Sequence, residues 1–446
     1  MATLSAVAER SLKIVQLTPG AGGMYCGNCL RDNALVASLR RQGHAVTMLP
    51  LYLPLKTDEA DQSQGAPVFF GGINVYLEQQ AALFRRLPKW LHDALSSPKL
   101  LRLIGTAAAG TRPEKVGDLT VSMLRGEEGN QGREIDELVA WLKKDGRPEV
   151  ISFSNALLVG AARVLKRELN CVIAVTLQGE DTFLDALPVA NRRAAWEILA
   201  QRLSEADLLI APSHYYANRM SERTGIPVSR IHVVPNGINL QGWEPTSTPP
   251  TIPVLGYLAR MCQEKGLDLL VDAYLSIRRS GKVPNLRLHI AGGLGPSDEP
   301  YVNGLKQRLQ AAGVMGDVEF QPNLDHLAKQ AFFRRLTVFS VPAHYGEAFG
   351  LYLVEAMAAG IPVVQPSTGA FPEILESTGA GLLAKAHDAE DLARNIEKVL
   401  LDPELAKRLG RAGRCAAEER LNNDAAATQV ARLFASARHP AGAVSA

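Results

Sequence analysis

Two carboxylates with seven residues between them, Glu347 and Glu355, stand in the segment Pro342-Ala343-His344-Tyr345-Gly346-Glu347-Ala348-Phe349-Gly350-Leu351-Tyr352-Leu353-Val354-Glu355. The pattern predicts a helix from about Phe349 to Ala359, with Gly350 near its start, Gly360 as its cap and Pro362 beyond. At a rise of about 1.5 Å per residue the two carboxylates lie roughly 10 to 12 Å apart along the axis. That is comparable to the span from a sugar ring to a nucleoside ribose. Each carboxylate can accept hydrogen bonds from two neighbouring hydroxyls. Between them, the free amides of Phe349, Gly350 and Leu351 at the helix start would face a diphosphate and stabilise its charge. Two surface glutamates flanking a core helix is the plainer alternative.

Upstream, Gly256-Tyr257-Leu258-Ala259-Arg260-Met261-Cys262-Gln263-Glu264-Lys265-Gly266 reads as a strand and a loop that carries two cations. Fixed in place, Arg260 and Lys265 could neutralise a diphosphate leaving group as its charge grows, a role that needs no metal. A solvated basic loop is the competing reading. Weaker signals are Asn236-Gly237, Gly293 in Ala291-Gly292-Gly293 after a strand, and Ser367 to Ile374, where Glu373 is expected to order its own loop. Glycine at these places permits close backbone approach to a ligand, but equally serves plain turns.

These residues need elements to hold them. Leu12 to Leu17 reads as a strand, Gly20-Ala21-Gly22-Gly23 as a glycine-rich turn, Asn28 to Gln42 as a helix and Ala45 to Leu51 as the next strand, a βαβ unit. Alternation returns at Val150–Ser152, Val172–Thr176 and Leu208–Ala211, with helical patterns at Leu157–Glu168 and Arg192–Ser204. A second series runs through Val254–Leu258, Gly266–Arg279, Leu286–Ala291, Val302–Ala312, Val318–Gln321, Leu327–Arg335, Val338–Val341 and Pro362–Gln365. Short apolar strands alternating with helices predict parallel sheets covered on both faces. Between the two series, residues 244–253 hold four prolines among polar residues and read as a linker. The expected division is therefore one α/β domain over 1–243 and a second over 254–421. The stretch from about Thr57 to Arg147 is expected to be an elaborated loop region with some helix.

The Glu347/Glu355 segment resembles the Glu-x7-Glu motif of the retaining, glycogen-synthase-related glycosyltransferases, the group often called family four or group 1. That resemblance implies an α/β architecture of two Rossmann-like domains facing across a cleft, GT-B, with 1–243 binding the acceptor, 254–421 binding the donor and a helix over about 422–446 packing back on the first. It further implies a hexosyltransferase that moves a sugar from a nucleoside diphosphate sugar to an acceptor hydroxyl with retained configuration. On the resemblance Glu347 contacts the donor sugar, Glu355 the ribose, and Arg260 and Lys265 the phosphates. Asn236, Gly293, Phe349, Gly350 and Leu351 join the donor side, and Gly22 and Gly23 match the family's glycine-rich loop. The family often places a His after the strand Val172–Thr176, whereas this chain has Gln178 there, followed by Glu180 and Asp181. Gln keeps hydrogen-bonding capacity without a titrating proton. Glu180 and Asp181 are candidates for acceptor hydroxyls or for a base, with a surface loop as the alternative. The acceptor, a saccharide, lipid-linked glycan or small molecule, is not specified. An epimerase or phosphorylase on the same fold, or a sugar-nucleotide-binding protein without catalysis, are the competing functions.

Composition narrows the rest. A chain of 446 residues with 46% apolar and 21% charged residues can bury two cores. A formal net charge of +2, without a long basic run, gives no sign of nucleic-acid binding. Five cysteines form no secreted disulfide framework, which points to a reducing cytoplasm. Cys26 and Cys29 have no second pair nearby, so neither zinc nor a redox motif is expected, and no cofactor or metal is called for. The glycine loop lacks a dinucleotide fingerprint, which argues against NAD. No signal peptide or spanning helix is read. Residues 84–104 interleave Arg85, Arg86, Lys89, Lys99 and Arg102 with apolar residues, which leaves open a peripheral contact with the inner face of a membrane beside the core-helix reading.

Overall fold

The computed structural model describes residues 11–20, 27–55, 57, 59–63, 65–70, 116–245 and 250–438. Gly22, Gly23, Cys26 and the 84–104 stretch lie outside the described residues. Six strands form the first sheet: β1 (Lys13–Thr18), β2 (Ala45–Pro50), β3 (Val150–Phe153), β4 (Val172–Thr176), β5 (Leu208–Ala211) and β6 (Ile231–Val233). They lie parallel in the order β2-β1-β3-β4-β5-β6, with Ile14 opposite both Val46 and Val150. The second sheet holds β7 (Val254–Leu258), β8 (Arg287–Gly292), β9 (Val318–Pro322), β10 (Val338–Phe339), β11 (Val363–Pro366) and β12 (Gly381–Ala384), parallel in the order β12-β11-β10-β7-β8-β9. The central strands β3, β5, β10 and β11 are buried along their whole length, which is why their sequences are apolar runs rather than alternations.

Two compact units follow these sheets. One comprises the described residues of Met1–Pro212, Ala217–Val234 and Ala426–Ala446; the other comprises Ser213–Tyr216 and Pro235–Ala425. The first core packs Ile14, Val36, Met48, Val150, Ala174 and Ile210 with Ala427, Val430 and Phe434 of the helix Asn423–Arg438. The second gathers Leu255, Tyr257, Leu270, Leu288, Phe333, Phe339, Leu353 and Val363, and it includes Trp243, just ahead of the proline-rich stretch. The Thr57–Arg147 region contains the helices Gly117–Arg125 and Gly132–Lys144 among its described residues.

Strand order positions the chemistry. In the second sheet the chain runs outward from β7 through β8 to β9, then returns to the other side of β7 for β10, β11 and β12. Parallel sheets bind ligands beyond their strands' carboxyl ends, where such an order reverses. Here that point is the β7/β10 pair, whose following loops carry Arg260, Lys265 and Glu347.

Candidate functional site

The loop after β7 reaches the loop after β10 through Gly266. Its φ of +69° is left-handed, and a Cβ built on it would lie 1.8 Å from the Pro342 carbonyl oxygen. Only glycine brings the two backbones this close, and it starts the helix Leu267–Ser280 directly after Lys265. Gly266→Ala is expected to lower stability by about 1–3 kcal/mol in a urea melt, through strain and clash together. A loss below about 0.5 kcal/mol would show that the loops tolerate separation.

Lys265 Nζ meets Glu347 Oε1 and lies 2.5 Å from the Tyr345 hydroxyl, which in turn donates to Glu347 Oε1 at 2.9 Å. The ammonium also lies 5.0 Å from the Tyr345 ring centre and 5.9 Å from that of Tyr352. Burial alone would push the Lys265 pKa down, but the Glu347 carboxylate and Tyr345 outweigh it and the net shift is upward. Burial, then Glu347, holds the Tyr345 phenol above its ordinary value, so it stays a neutral donor. The Glu347 main chain is fixed from behind, because its carbonyl accepts from Ala370 N at 2.9 Å in the turn after β11.

Gly350, with φ of +89°, precedes the helix Leu351–Ala358, which is shorter at each end than the sequence predicts. In its first turn Leu353 N donates to the Gly350 carbonyl at 2.9 Å, and the amides ahead of it precede the first intrahelical i→i−4 bond. The Phe349 side chain is buried in the second core, so what Phe349 can offer a ligand is its backbone. Glu355 lies within the helix, where Oε1 accepts from Lys329 Nζ at 2.7 Å.

The Arg260 side chain turns to a partner of its own. Its Nε and Nη2 grip Asp298 at 2.9 and 3.0 Å, and this hydrogen-bonded partner raises its pKa. The side chain remains 61% exposed. Gly293 is beside it: Met261 N donates to the Gly293 carbonyl at 2.8 Å. Asn236 is buried and precedes Gly237, on which a Cβ would lie 2.2 Å from the Asn422 backbone.

In the first unit, Gly20, Ser154 and Gln178 follow β1, β3 and β4 at that sheet's carboxyl end. Glu180 is committed to backbone: Oε1 accepts from Ala156 N and Oε2 from Gln178 N, each at 2.8 Å. It is 4% exposed and fixes the turn that presents Gln178. Asp181 pairs with Arg219 at 3.1 Å.

Sequence reasoning missed Tyr345, Asp298 and Lys329. Tyr345 lies inside the quoted segment but has no spacing that marks it. Asp298 precedes a helix and looks like an N-cap, yet it makes no side-chain cap bond and turns to Arg260 instead. Lys329 carried a usable signal, since it shares a helical face with His326, Gln330 and Phe333, where Gln330 and Phe333 are buried. Among the described residues no cluster of three or more His, Cys, Asp or Glu could hold a metal ion, and no helix is long and apolar enough to cross a membrane.

Comparison with known proteins identifies the family. Residues 244–415 match the family described as glycosyl transferases group 1, and residues 109–241 match glycosyltransferase family 4. A glycogen synthase from Mycobacterium tuberculosis (strain ATCC 25618 / H37Rv) is 31% identical over 308 residues, 66% of this chain and 70% of the relative. A D-inositol 3-phosphate glycosyltransferase from Streptomyces bingchenggensis is 28% identical over 251 residues, 53% of this chain, and the match spans about half (54%) of the relative's length. In structure, the chain is similar to sucrose-phosphate synthase from Thermosynechococcus elongatus, with a TM-score of 0.69 at 20% identity over 96% of this chain and 99% of the other. It is also similar to the Anabaena HepE protein solved with UDP and glucose, with a TM-score of 0.65 at 17% identity over 95% and 100%. The chain belongs to the group 1 glycosyltransferases, and its fold class is the GT-B one, built from two Rossmann-like α/β units.

Proposed function

We propose that this protein transfers a hexosyl group from a nucleoside diphosphate sugar to an acceptor hydroxyl, with retained anomeric configuration and without a metal. The observation that carries the reading is the Lys265–Tyr345–Glu347 cluster at the start of the helix Leu351–Ala358, with Glu355 further along the same helix. Family membership, and the UDP and glucose named for the HepE structure, support a nucleotide-sugar donor. Lys265 and Arg260 supply the positive charge that a leaving diphosphate requires, together with the helix-start amides. Glu347 positions the sugar and Glu355 the ribose. In the same-face displacement the bond from the anomeric carbon to the phosphate oxygen breaks and the bond to the acceptor oxygen forms. The acceptor proton passes to the departing phosphate, so no protein base is needed. Gln178, held by Glu180 through its backbone, is then a hydrogen-bonding residue on the acceptor side rather than a proton carrier, and Asp181 is left to its ion pair.

The reading is tested by incubating the protein with a panel of nucleotide sugars and candidate acceptors in the presence of a chelator, with products followed by mass spectrometry. One donor is expected to be consumed with release of its nucleoside diphosphate. Epimerised donor without transfer would favour the competing activity, and consumption of none would contradict catalysis.

A further inference from the structure

Lys329 and Glu355 form an ion pair whose side chains are only 16% and 13% exposed, between the helix His326–Arg334 after β9 and the helix Leu351–Ala358 after β10. Its ammonium lies 6.0 Å from the Trp243 ring centre, so the cation is packed as well as paired. Burying two charges this far costs desolvation that the pair's own attraction roughly offsets, and apolar residues of similar volume would fill the space as well. The pair's effect on the carboxylate is therefore its distinguishing contribution. Lys329 occupies one side of Oε1 and holds the Glu355 carboxylate in one orientation, while Oε2 remains an acceptor. A carboxylate so fixed can take a hydrogen bond from a vicinal diol without first losing rotamer freedom.

We propose that Lys329 is a positioning residue that makes the site selective for ribose-bearing nucleotides, acting through Glu355. This rests on the donor-binding reading above. The test is calorimetric titration of the full chain with UDP, ADP and GDP, then with the 2′,3′-dideoxy form of whichever binds. Wild type is expected to prefer the ribose form by about tenfold or more, the scale of one charge-assisted hydrogen bond. Lys329→Met should bring that ratio close to one while the dideoxy affinity stays within about twofold, and Lys329→Arg should restore most of it. Glu355→Gln should lose the ratio in the same way, and the double variant should lose no more than either single one. This arm also serves if Lys329→Met folds poorly. An unchanged ratio in Lys329→Met, or equal weakening of both ligand forms, would overturn the proposal, the latter by placing Lys329 on the diphosphate. If wild type binds a diphosphate without preferring ribose, this inference alone fails; if it binds none of the three, the donor-binding reading fails first.

Discussion

Glu347→Gln is expected to reduce turnover by about 10²–10³-fold while changing nucleoside diphosphate affinity by less than about threefold, because in the proposed mechanism the lost charge acts on the sugar as it reacts. Gln preserves the volume at a site where Glu347 is mostly buried, and its amide can still accept a hydrogen bond from Tyr345. What it removes is the negative charge that Lys265 faces and that a developing positive charge at the anomeric carbon would meet. Lys265 is then left beside two aromatic rings without its counter-ion. The pair is not fully buried, so a stability loss of about 1–3 kcal/mol is expected, less than for breaking a fully buried pair. Turnover followed by donor consumption and stability by urea melting separate the two effects. Near-normal turnover would remove Glu347 from the reacting centre.

The second large effect is on binding. Arg260→Ala combined with Lys265→Ala should abolish protection by nucleoside diphosphate in a thermal-shift measurement. Each charge-assisted bond to phosphate contributes about 1.5–3 kcal/mol, so losing both weakens binding by about 10²-fold or more. Arg260 is pre-oriented by Asp298, which holds two of its three nitrogens. Lys265 is anchored by Glu347 and Tyr345. Because removing Lys265 also strips Glu347 of its partner, stability of the double variant is best compared with Glu347→Gln. Unchanged protection would put the diphosphate elsewhere.

Much of the fold was legible because central parallel strands, covered on both faces, are mostly apolar. Val254–Leu258 is β7 without adjustment, and the helices read as Asn28–Gln42 and Leu327–Arg335 are displaced by one residue, to Gly27–Arg41 and His326–Arg334. Of the four edge strands, β2 and β9 match the runs read at Ala45–Leu51 and Val318–Gln321, whereas β6 and β12 were not legible. β6 has three residues and one of them is exposed, while β12 is half-buried along most of its four, so neither shows a continuous apolar run. The helix read as Leu157–Glu168 begins instead as a 3₁₀ turn over Ala156–Ala161, whose entry is set by the Asn155 side chain accepting from Leu157 N, a local bond that periodicity does not report. In the site, Glu347 and Lys265 were visible as residue types in a motif, but their pairing depends on the close approach at Gly266. The partners Asp298 and Lys329 come from sequence-distant helices, 38 and 26 residues from Arg260 and Glu355, and spacing cannot join them.

The most direct measurement is a crystal structure of the protein with the nucleoside diphosphate that calorimetry selects. The diphosphate is expected at the start of the helix Leu351–Ala358, in contact with Lys265 and Arg260, and the ribose hydroxyls within hydrogen-bonding distance of Glu355. A nucleotide bound away from the loops after β7 and β10, or with its ribose turned from Glu355, would contradict this reading.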